Sequence, residues 1–301
     1  MNNIAIIIFP IVCMFVIGVI LRQINLFNQD DANILIKLVF YVSLPALILK
    51  TIPNVSITLN FLVLPLIAVF TIILMFIISI LVLNFLDLEK KTAGVFIIGT
   101  MILNLGFNVP FVIAAYNDEG FTRASFLDIG NILLTLSLTY YLAQRYGSSS
   151  ETPPPVFNKK LLTSPPLIAL IIAVVFNFAQ ITFDPIIMNV LELLSALLPP
   201  LLMISIGIYF NPTSQKLLPA LGVIFIRMGL GLTVGLLSVF FLGLDDLSNK
   251  IVIISTAAPV GFNTLTFASL EDLDREFAAK VLSISIPIGI CMIILLLTFL
   301  G

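Results

Sequence analysis

The strongest constraint on this chain is a series of long apolar runs that contain very few charged residues. Hydrophobic residues make up 60% of the sequence, charged residues only 10%, and the mean hydropathy is +1.19. A helix needs about 20 mostly apolar residues to cross a bilayer. Ten such runs lie between charged or proline-containing loops, at residues 4–21, 33–52, 61–86, 92–116, 121–146, 162–180, 186–210, 216–243, 250–269 and 277–300. Because the runs are continuously apolar, they predict an all-α membrane protein with ten transmembrane helices rather than a β-barrel.

The distribution of basic residues predicts how the chain is oriented, because Lys and Arg near helix ends favour the cytoplasmic side. Loops after odd-numbered runs carry most of them, namely Arg22, Lys37, Lys90, Lys91, Arg145, Lys159, Lys160, Lys216, Arg275 and Lys280. Loops after even-numbered runs carry Lys50, Arg123 and Lys250. We therefore expect both termini outside and the protein in the plasma or inner membrane. The net charge of −2 gives no indication of a nucleic-acid partner.

The composition also argues against an enzyme. The chain has no His, which removes the usual proton shuttle, the usual metal ligand and the base of a Ser-His protease. Cys13 and Cys291 lie within apolar runs near opposite ends of the chain, which fits packing better than a disulfide. No nucleophile, metal-ligand cluster or phosphate-binding loop accompanies the acidic residues. We therefore expect no enzymatic activity, no cofactor and no metal site.

Several landmarks recur at a nearly constant offset, which predicts an internal duplication. The tripeptide Gly-Phe-Asn occurs at residues 106–108 and again at residues 261–263. Three proline pairs keep the same order and almost the same spacing, namely Pro10 with Pro165, Pro45 with Pro200, and Pro65 with Pro219. Between the two copies, residues 147–155 are rich in Gly, Ser and Pro, a composition typical of a linker.

The duplication and the odd number of runs in each half predict an inverted repeat. Residues 1–146 form the first five-helix repeat, residues 147–160 a cytoplasmic linker, and residues 161–301 the second repeat. Five crossings leave the chain on the opposite side, so the second repeat enters the membrane upside down. Carriers of this kind commonly bind substrate near the bilayer midplane, where interrupted helices face each other.

The fourth and ninth runs contain residues that interrupt a helix, at positions 104–110 and 257–264. Proline removes a backbone donor, Gly permits unwinding, and irregular backbone at this depth persists only inside protein or beside a wet cavity. We predict broken, crossed helices 4 and 9 that bind the substrate. The candidate residues are Asn104, Gly106, Phe107, Asn108, Pro110, Pro259, Gly261, Phe262, Asn263 and Thr264. The alternative is a simple proline kink packed against neighbouring helices.

The chemistry of these breaks favours a small organic anion. A broken helix exposes backbone N–H groups and the positive end of its dipole at the start of the second half. Asn side chains can donate or accept hydrogen bonds, so they do not determine whether the ligand is an anion or a cation. Neither break contains a charged residue. We expect a carboxylate whose apolar body contacts Phe107 and Phe262, with ordinary packing as the alternative role of these rings.

Three ionisable residues lie well inside runs, namely Asp128, Glu192 and Arg227. Charges at such depth are costly and are usually paired or functional. Protonation of Asp128 or Glu192 could couple transport to a proton gradient, and Asn131 shares a helical face with Asp128. Arg227 needs an anionic partner, for which we expect Asp128. The alternative is a structural ion pair that fixes helix packing.

Taken together, these motifs resemble those of the auxin efflux carrier family over the whole chain. The matching features are Leu44-Pro45, residues 94–110 with their Asn-x-Gly-Phe core, residues 128–131, residues 199–203, Arg227 and residues 259–263. The resemblance implies the ten-helix fold of the bile-acid sodium symporter group, in which helices 1, 2, 6 and 7 form a scaffold and helices 3–5 and 8–10 a moving core. It also implies that Asn104 contacts the substrate and that a homodimer could form through the scaffold.

Three functions are consistent with these features. The first is a secondary active transporter of a small organic anion, in which the core moves against the scaffold like an elevator and H⁺ or Na⁺ is the coupling ion. The second is a sodium-coupled organic-anion symporter of bile-acid type, which the lack of carboxylates in both breaks makes less attractive. The third is a membrane sensor that binds its ligand without transporting it.

Overall fold

A computed structural model of the protein describes residues 2–55, 59–147, 165–210 and 217–300. Across these ranges the chain is built from helices, and the only extended pairing in them is a bridge between Leu103 and Val260. The predicted all-α class is thereby confirmed. Nearly all of the predicted linker, residues 148–160, lies outside the described ranges.

The first half of the chain forms seven helices. They are α1 Asn2–Gln23, α2 Gln29–Leu38, α3 Leu44–Thr51, α4 Val63–Leu83, α5 Lys90–Met101, α6 Leu105–Leu134 and α7 Tyr140–Tyr146. Single π-helical segments at Val39–Ser43 and Thr135–Thr139 join α2 to α3 and α6 to α7. Inside α6, Asn117 has a φ of 52°, so the helix is kinked where the sequence predicts the loop between the fourth and fifth runs.

The second half forms eight helices within the described residues. They are α8 Pro165–Ala179, α9 Pro185–Ala196, α10 Leu198–Tyr209, α11 Leu217–Ile224, α12 Gly231–Leu242, α13 Asp246–Thr256, α14 Asn263–Leu270 and α15 Arg275–Leu300. A π-helical segment at Phe225–Leu230 joins α11 to α12. The Asp184 side chain caps α9 by accepting a 2.8 Å hydrogen bond from the Ile186 N–H, the role that Asp favours at a helix start.

Six helical stretches in the described part of the chain are long and apolar enough to cross a membrane. They are Gln29–Asn54, Val63–Leu83, Leu105–Tyr146, Pro185–Tyr209, Leu217–Leu242 and Arg275–Leu300. Two shorter apolar helices span Phe9–Gln23 and Ile168–Ala179. These helices support an integral membrane protein, whereas the count of ten, the inverted arrangement and the position of the termini remain predictions.

Helices α1 and α10 approach each other closely at two glycines. A Cβ added to Gly18 would lie 2.1 Å from the Ile204 carbonyl oxygen, and one added to Gly207 would lie 2.1 Å from that of Phe15. Only glycine therefore lets the two backbones approach this closely, which is the way small residues pack helices in membranes.

Charged side chains also join the two halves of the chain. Arg123 donates to Asp245 at 3.2 Å and to the Ser248 hydroxyl at 3.1 Å. Burial works to raise the pKa of Asp245, but the hydrogen bonds from Ser248 and the nearby Arg123 charge outweigh it and lower that pKa below its usual value. Elsewhere on the surface, Lys91 contacts Asp272 at 2.5 Å.

Candidate functional site

Both predicted interruptions are present in the structure. Helix α5 ends at Met101 and α6 begins at Leu105, while α13 ends at Thr256 and α14 begins at Asn263. The intervening segments, residues 102–104 and 257–262, lie side by side and antiparallel. The Asn104 N–H donates to the Pro259 carbonyl and the Gly261 N–H to the Ile102 carbonyl, both at 3.2 Å. The unwound backbone of each segment therefore satisfies part of the other's hydrogen bonding.

The first interruption begins earlier than the sequence predicts. Unwinding was expected over residues 104–110, but Gly106, Asn108 and Pro110 lie within the helical turns of α6. The chain leaves the helix at Ile102, where ψ is 117°, and Asn104 becomes the N-cap of α6 by accepting from the Phe107 N–H at 3.2 Å. The capping side chain restarts the helix before Pro110, so this proline does not mark the break.

Two of the predicted amide residues hold the interruptions in place. Asn104 is 4% exposed, and its Nδ2 donates to the Val260 carbonyl at 3.0 Å. Asn108 is 3% exposed, and its Nδ2 donates to the Ile254 carbonyl at 2.9 Å. Each amide therefore bridges the two halves of the chain: Asn108 satisfies a carbonyl in the last turn of α13, and Asn104 one in the unwound segment that follows it.

Asn131 connects the first break to Asp128. Its side chain accepts from the Leu103 N–H at 3.2 Å and donates to the Leu103 carbonyl at 3.3 Å. The same amide donates to Asp128 Oδ1 at 2.8 Å. The predicted shared face of Asp128 and Asn131 is thus present, and Asn131 fixes the carboxylate relative to the unwound segment.

A cavity of about 530 Å³ lies beside the interruptions. One side consists of α8, α10 and the continuous helical stretch Gln29–Asn54, called the α2–α3 rod below. It contributes residues such as Phe40, Leu170 and Leu202. The other side consists of both breaks and the later turns of α6. The lining is mainly apolar, with a few polar side chains that converge on one region, as expected of a small-molecule site.

The predicted site residues divide into two groups around this cavity. Those that line it are Asn104, Gly106, Asp128, Asn131, Gly261, Phe262 and Asn263. Those that do not are Phe107, Asn108, Pro110, Glu192, Arg227, Pro259 and Thr264. The first group can reach a ligand directly, whereas the second can act on it only through neighbouring residues.

Four residues that line the cavity at the two helix starts have backbone N–H groups without a hydrogen-bond partner in the described residues. They are Leu105 and Gly106 in α6, and Phe262 and Asn263 at the start of α14. Gly106 and Asn263 are exposed. Unpaired N–H groups at a helix start carry partial positive charge, so this part of the wall favours an anion.

The two phenylalanines of the repeated tripeptide have different surroundings. Phe107 is fully buried and packs against Phe111, with ring centroids 5.4 Å apart. Phe262 is half-buried, lines the cavity and lies 5.9 Å from the Tyr209 ring. The packing role left open for both rings therefore applies to Phe107, while Phe262 can offer an apolar face to a ligand. Thr264 is also fully buried, with no hydrogen-bond partner for its hydroxyl in the described residues.

The expected ion pair between Arg227 and Asp128 is not formed. Arg227 is fully buried and donates to the backbone carbonyls of Thr256, Ala258 and Thr100. Asp128 instead accepts from Asn131 on the cavity wall. The prediction was wrong because backbone carbonyls at the ends of broken helices carry enough negative charge to pair with a guanidinium, a partner that side-chain types do not reveal.

Glu192 lies away from the cavity on the exposed side of α9. Its neighbours Leu193 and Val190 are 73% and 50% exposed. Within the described residues, its carboxylate forms no ion pair. Of the two carboxylates proposed for proton coupling, only Asp128 can therefore interact with a ligand in the cavity.

Sequence reasoning missed Ser125 and Phe121 as cavity residues. The Ser125 hydroxyl donates to the Phe121 carbonyl at 2.9 Å, so its oxygen remains available as an acceptor. Ser125 precedes Asp128 by three positions on one helix, and this spacing puts both on one face. That regular spacing was the signal that could have identified Ser125.

Comparison with known proteins decides the family. A family model described as membrane transport protein matches residues 4–298. The chain belongs to this family. The match confirms the auxin efflux carrier membership predicted from the motifs and supports a transport role rather than catalysis.

Two relatives of this membrane transport protein are named as transporters. An uncharacterized transporter of Methanocaldococcus jannaschii is 25% identical over 295 residues, covering 95% of each chain. An uncharacterized transporter of Methanothermobacter thermautotrophicus is 28% identical over 205 residues, covering 67% of this chain and 66% of that protein. Because the first alignment covers nearly the whole chain, it includes both interruptions and the cavity beside them.

Proposed function

We propose that this membrane transport protein is a secondary carrier of small organic anions and binds a monocarboxylate in the cavity beside the two breaks. The observation that carries the proposal is the set of four unpaired N–H groups that belong to the cavity-lining residues Leu105, Gly106, Phe262 and Asn263. A carboxylate can accept several such bonds, while the surrounding apolar side chains contact the rest of the molecule. Because the chain belongs to a transporter family, we expect the bound ligand to be transported across the membrane.

The charges around the cavity favour one carboxylate rather than two. Asp128 is the only ionisable side chain on the cavity wall among the described residues. No Lys or Arg lies there to neutralise a second negative charge, and burying an unpaired charge is costly. A proton on Asp128 would remove its repulsion of the anion, so we propose that H⁺ is the coupling ion.

The positions of the helices support alternating access. The cavity lies between the α2–α3 rod, α8 and α10 on one side and the interrupted helices on the other, and we propose that these two sides belong to the scaffold and the core that the family resemblance implies. We propose that the halves form inverted repeats, that the interrupted helices are the crossed fourth and ninth helices, and that the core carries the anion past the scaffold. A plasma or inner membrane location with both termini outside completes the proposal.

Uptake into proteoliposomes tests this function. Purified protein is assayed with a panel of labelled monocarboxylates and dicarboxylates under an inward proton gradient, and Asn263→Asp is compared with Thr266→Asp. An added carboxylate beside the N–H groups would raise the energy of the bound anion by about 4 kcal/mol through charge repulsion, for two unit charges about 4 Å apart. Because 1.4 kcal/mol corresponds to about tenfold, Asn263→Asp should lose more than tenfold in uptake.

Thr266 is the matched control because it is exposed, lies one turn further along α14 and does not line the cavity. Uptake by Thr266→Asp should stay close to wild type. Equal losses in both variants, or the absence of saturable uptake of any acid under any gradient, would count against the proposal.

A further inference from the structure

The guanidinium of Arg227 is fully buried, and no carboxylate neutralises it among the described residues. Its side chain donates to the Ala258 carbonyl at 3.3 Å, to the Thr100 carbonyl at 3.4 Å and to the Thr256 carbonyl. Thr100 belongs to the last turn of α5, Thr256 ends α13, and Ala258 lies two residues beyond. One side chain thus collects carbonyl oxygens from the carboxyl ends of both interrupted helices.

These carbonyls form the kind of site that can hold a metal cation. The last carbonyls of a helix have no partner within it and carry the negative end of its dipole. In carriers with interrupted helices, unwound carbonyls and half-helix carboxyl ends commonly coordinate the coupling Na⁺ or H⁺. Here the guanidinium, which keeps its charge at physiological pH, already contacts them.

The surrounding backbone is shaped to hold the guanidinium at this position. Arg227 lies in the π-helical segment Phe225–Leu230, and such segments frequently mark functional positions. A Cβ on Gly231 would lie 2.2 Å from the Thr256 carbonyl oxygen and 2.7 Å from Arg227 Nη2. A Cβ on Gly235 would lie 2.1 Å from the Thr256 hydroxyl oxygen. These glycines allow α12 to approach the end of α13 and leave room for the side chain.

We propose that Arg227 is a positioning residue that acts as a built-in replacement for a coupling metal cation. The guanidinium neutralises the partial negative charge at the carboxyl ends of α5 and α13. The partial positive charge at the starts of α6 and α14 then determines that the ligand is an anion. The carrier then needs no Na⁺ at the breaks. This inference rests on the proposed function and deepens it, because it separates this carrier from sodium-coupled symporters.

The test measures thermal unfolding of ligand-free, full-length protein in detergent, with NaCl or choline chloride at equal ionic strength. Wild type should melt at the same temperature in both salts. Arg227→Ala should melt lower in choline, and Na⁺ should raise its melting temperature by more than about 4 °C, because a cation that binds only the folded state stabilises it. Arg227→Lys should recover part of the wild-type stability without Na⁺. Exposed Arg145→Ala is the matched control and should respond to neither salt.

Each outcome decides the inference. A sodium-specific shift in wild type overturns it even if Arg227→Ala does not fold. Wild-type stability of Arg227→Ala, or a loss of stability that neither Na⁺ nor Lys restores, also overturns it. Because the assay contains no organic anion, a negative result in the uptake experiment leaves this measurement interpretable on its own.

Discussion

At the scale of single residues, Asp128 has the greatest influence on what the cavity can hold. Its carboxylate lies on the same wall as the unpaired N–H groups and is fixed by the 2.8 Å hydrogen bond from Asn131. When ionised, it repels an anion; when protonated, it can donate a hydrogen bond to it. Anion binding and protonation of Asp128 should therefore favour each other.

The Asp128→Asn substitution tests this coupling through the pH dependence of binding. In wild type, the apparent affinity for a transported monocarboxylate should increase as pH falls, by at most about tenfold per pH unit for one coupled proton. Asp128→Asn mimics the protonated state, so its affinity should no longer depend on pH. The measurement is a thermal-shift or calorimetric titration at several pH values. Asp87→Asn, at an exposed loop position, is the control and should keep the wild-type pH dependence.

At the scale of helices, a glycine determines how closely α12 approaches the end of α13. Replacing Gly by Ala inside a helix normally stabilises it by up to about 1 kcal/mol. At Gly231 the new Cβ would lie 2.2 Å from a backbone oxygen, which cannot move without shifting α13. The usual sign of the substitution is therefore reversed at this position.

Gly231→Ala should lower the unfolding free energy by more than about 1 kcal/mol, as overpacking does, and should weaken the carbonyl contacts of Arg227. Gly229→Ala provides a control two residues away, because its Cβ would meet only the Phe225 ring at 3.4 Å. That variant should stay within about 0.5 kcal/mol of wild type. Melting temperatures in detergent report both effects, and equal stability of the two variants would contradict the predicted clash.

The positions of the helix interruptions could be predicted only in part from the sequence. The repeated Gly-Phe-Asn element identified the right neighbourhood in both halves, because Gly and Pro disfavour helix wherever they cluster. The sequence could not show that the Asn104 side chain would cap α6 and restart the helix before Pro110. Capping depends on the geometry that the second break imposes through its carbonyls, and that contact joins residues far apart in the chain.

At the scale of the whole molecule, the sequence predicts the all-α membrane class because continuous apolar runs of about 20 residues fit few structures other than transmembrane helices. The motifs predict the transporter family because several of them occur in the right order. The cavity could not be predicted, since its wall includes apolar residues such as Phe40 and Leu202 that look like ordinary packing residues. The partners of Arg227 could not be predicted either, because they are backbone carbonyls that every residue possesses.

The central claim is that an anion binds at the paired breaks during transport, and site-specific protection tests it most directly. Cys13 and Cys291 are replaced by Ser, and Asn263→Cys or Thr266→Cys is introduced. Maleimide labelling is followed in proteoliposomes with and without each acid of the panel. A transported monocarboxylate should slow labelling at position 263 and leave position 266 unchanged. Labelling at position 263 that no transported acid slows would contradict the account.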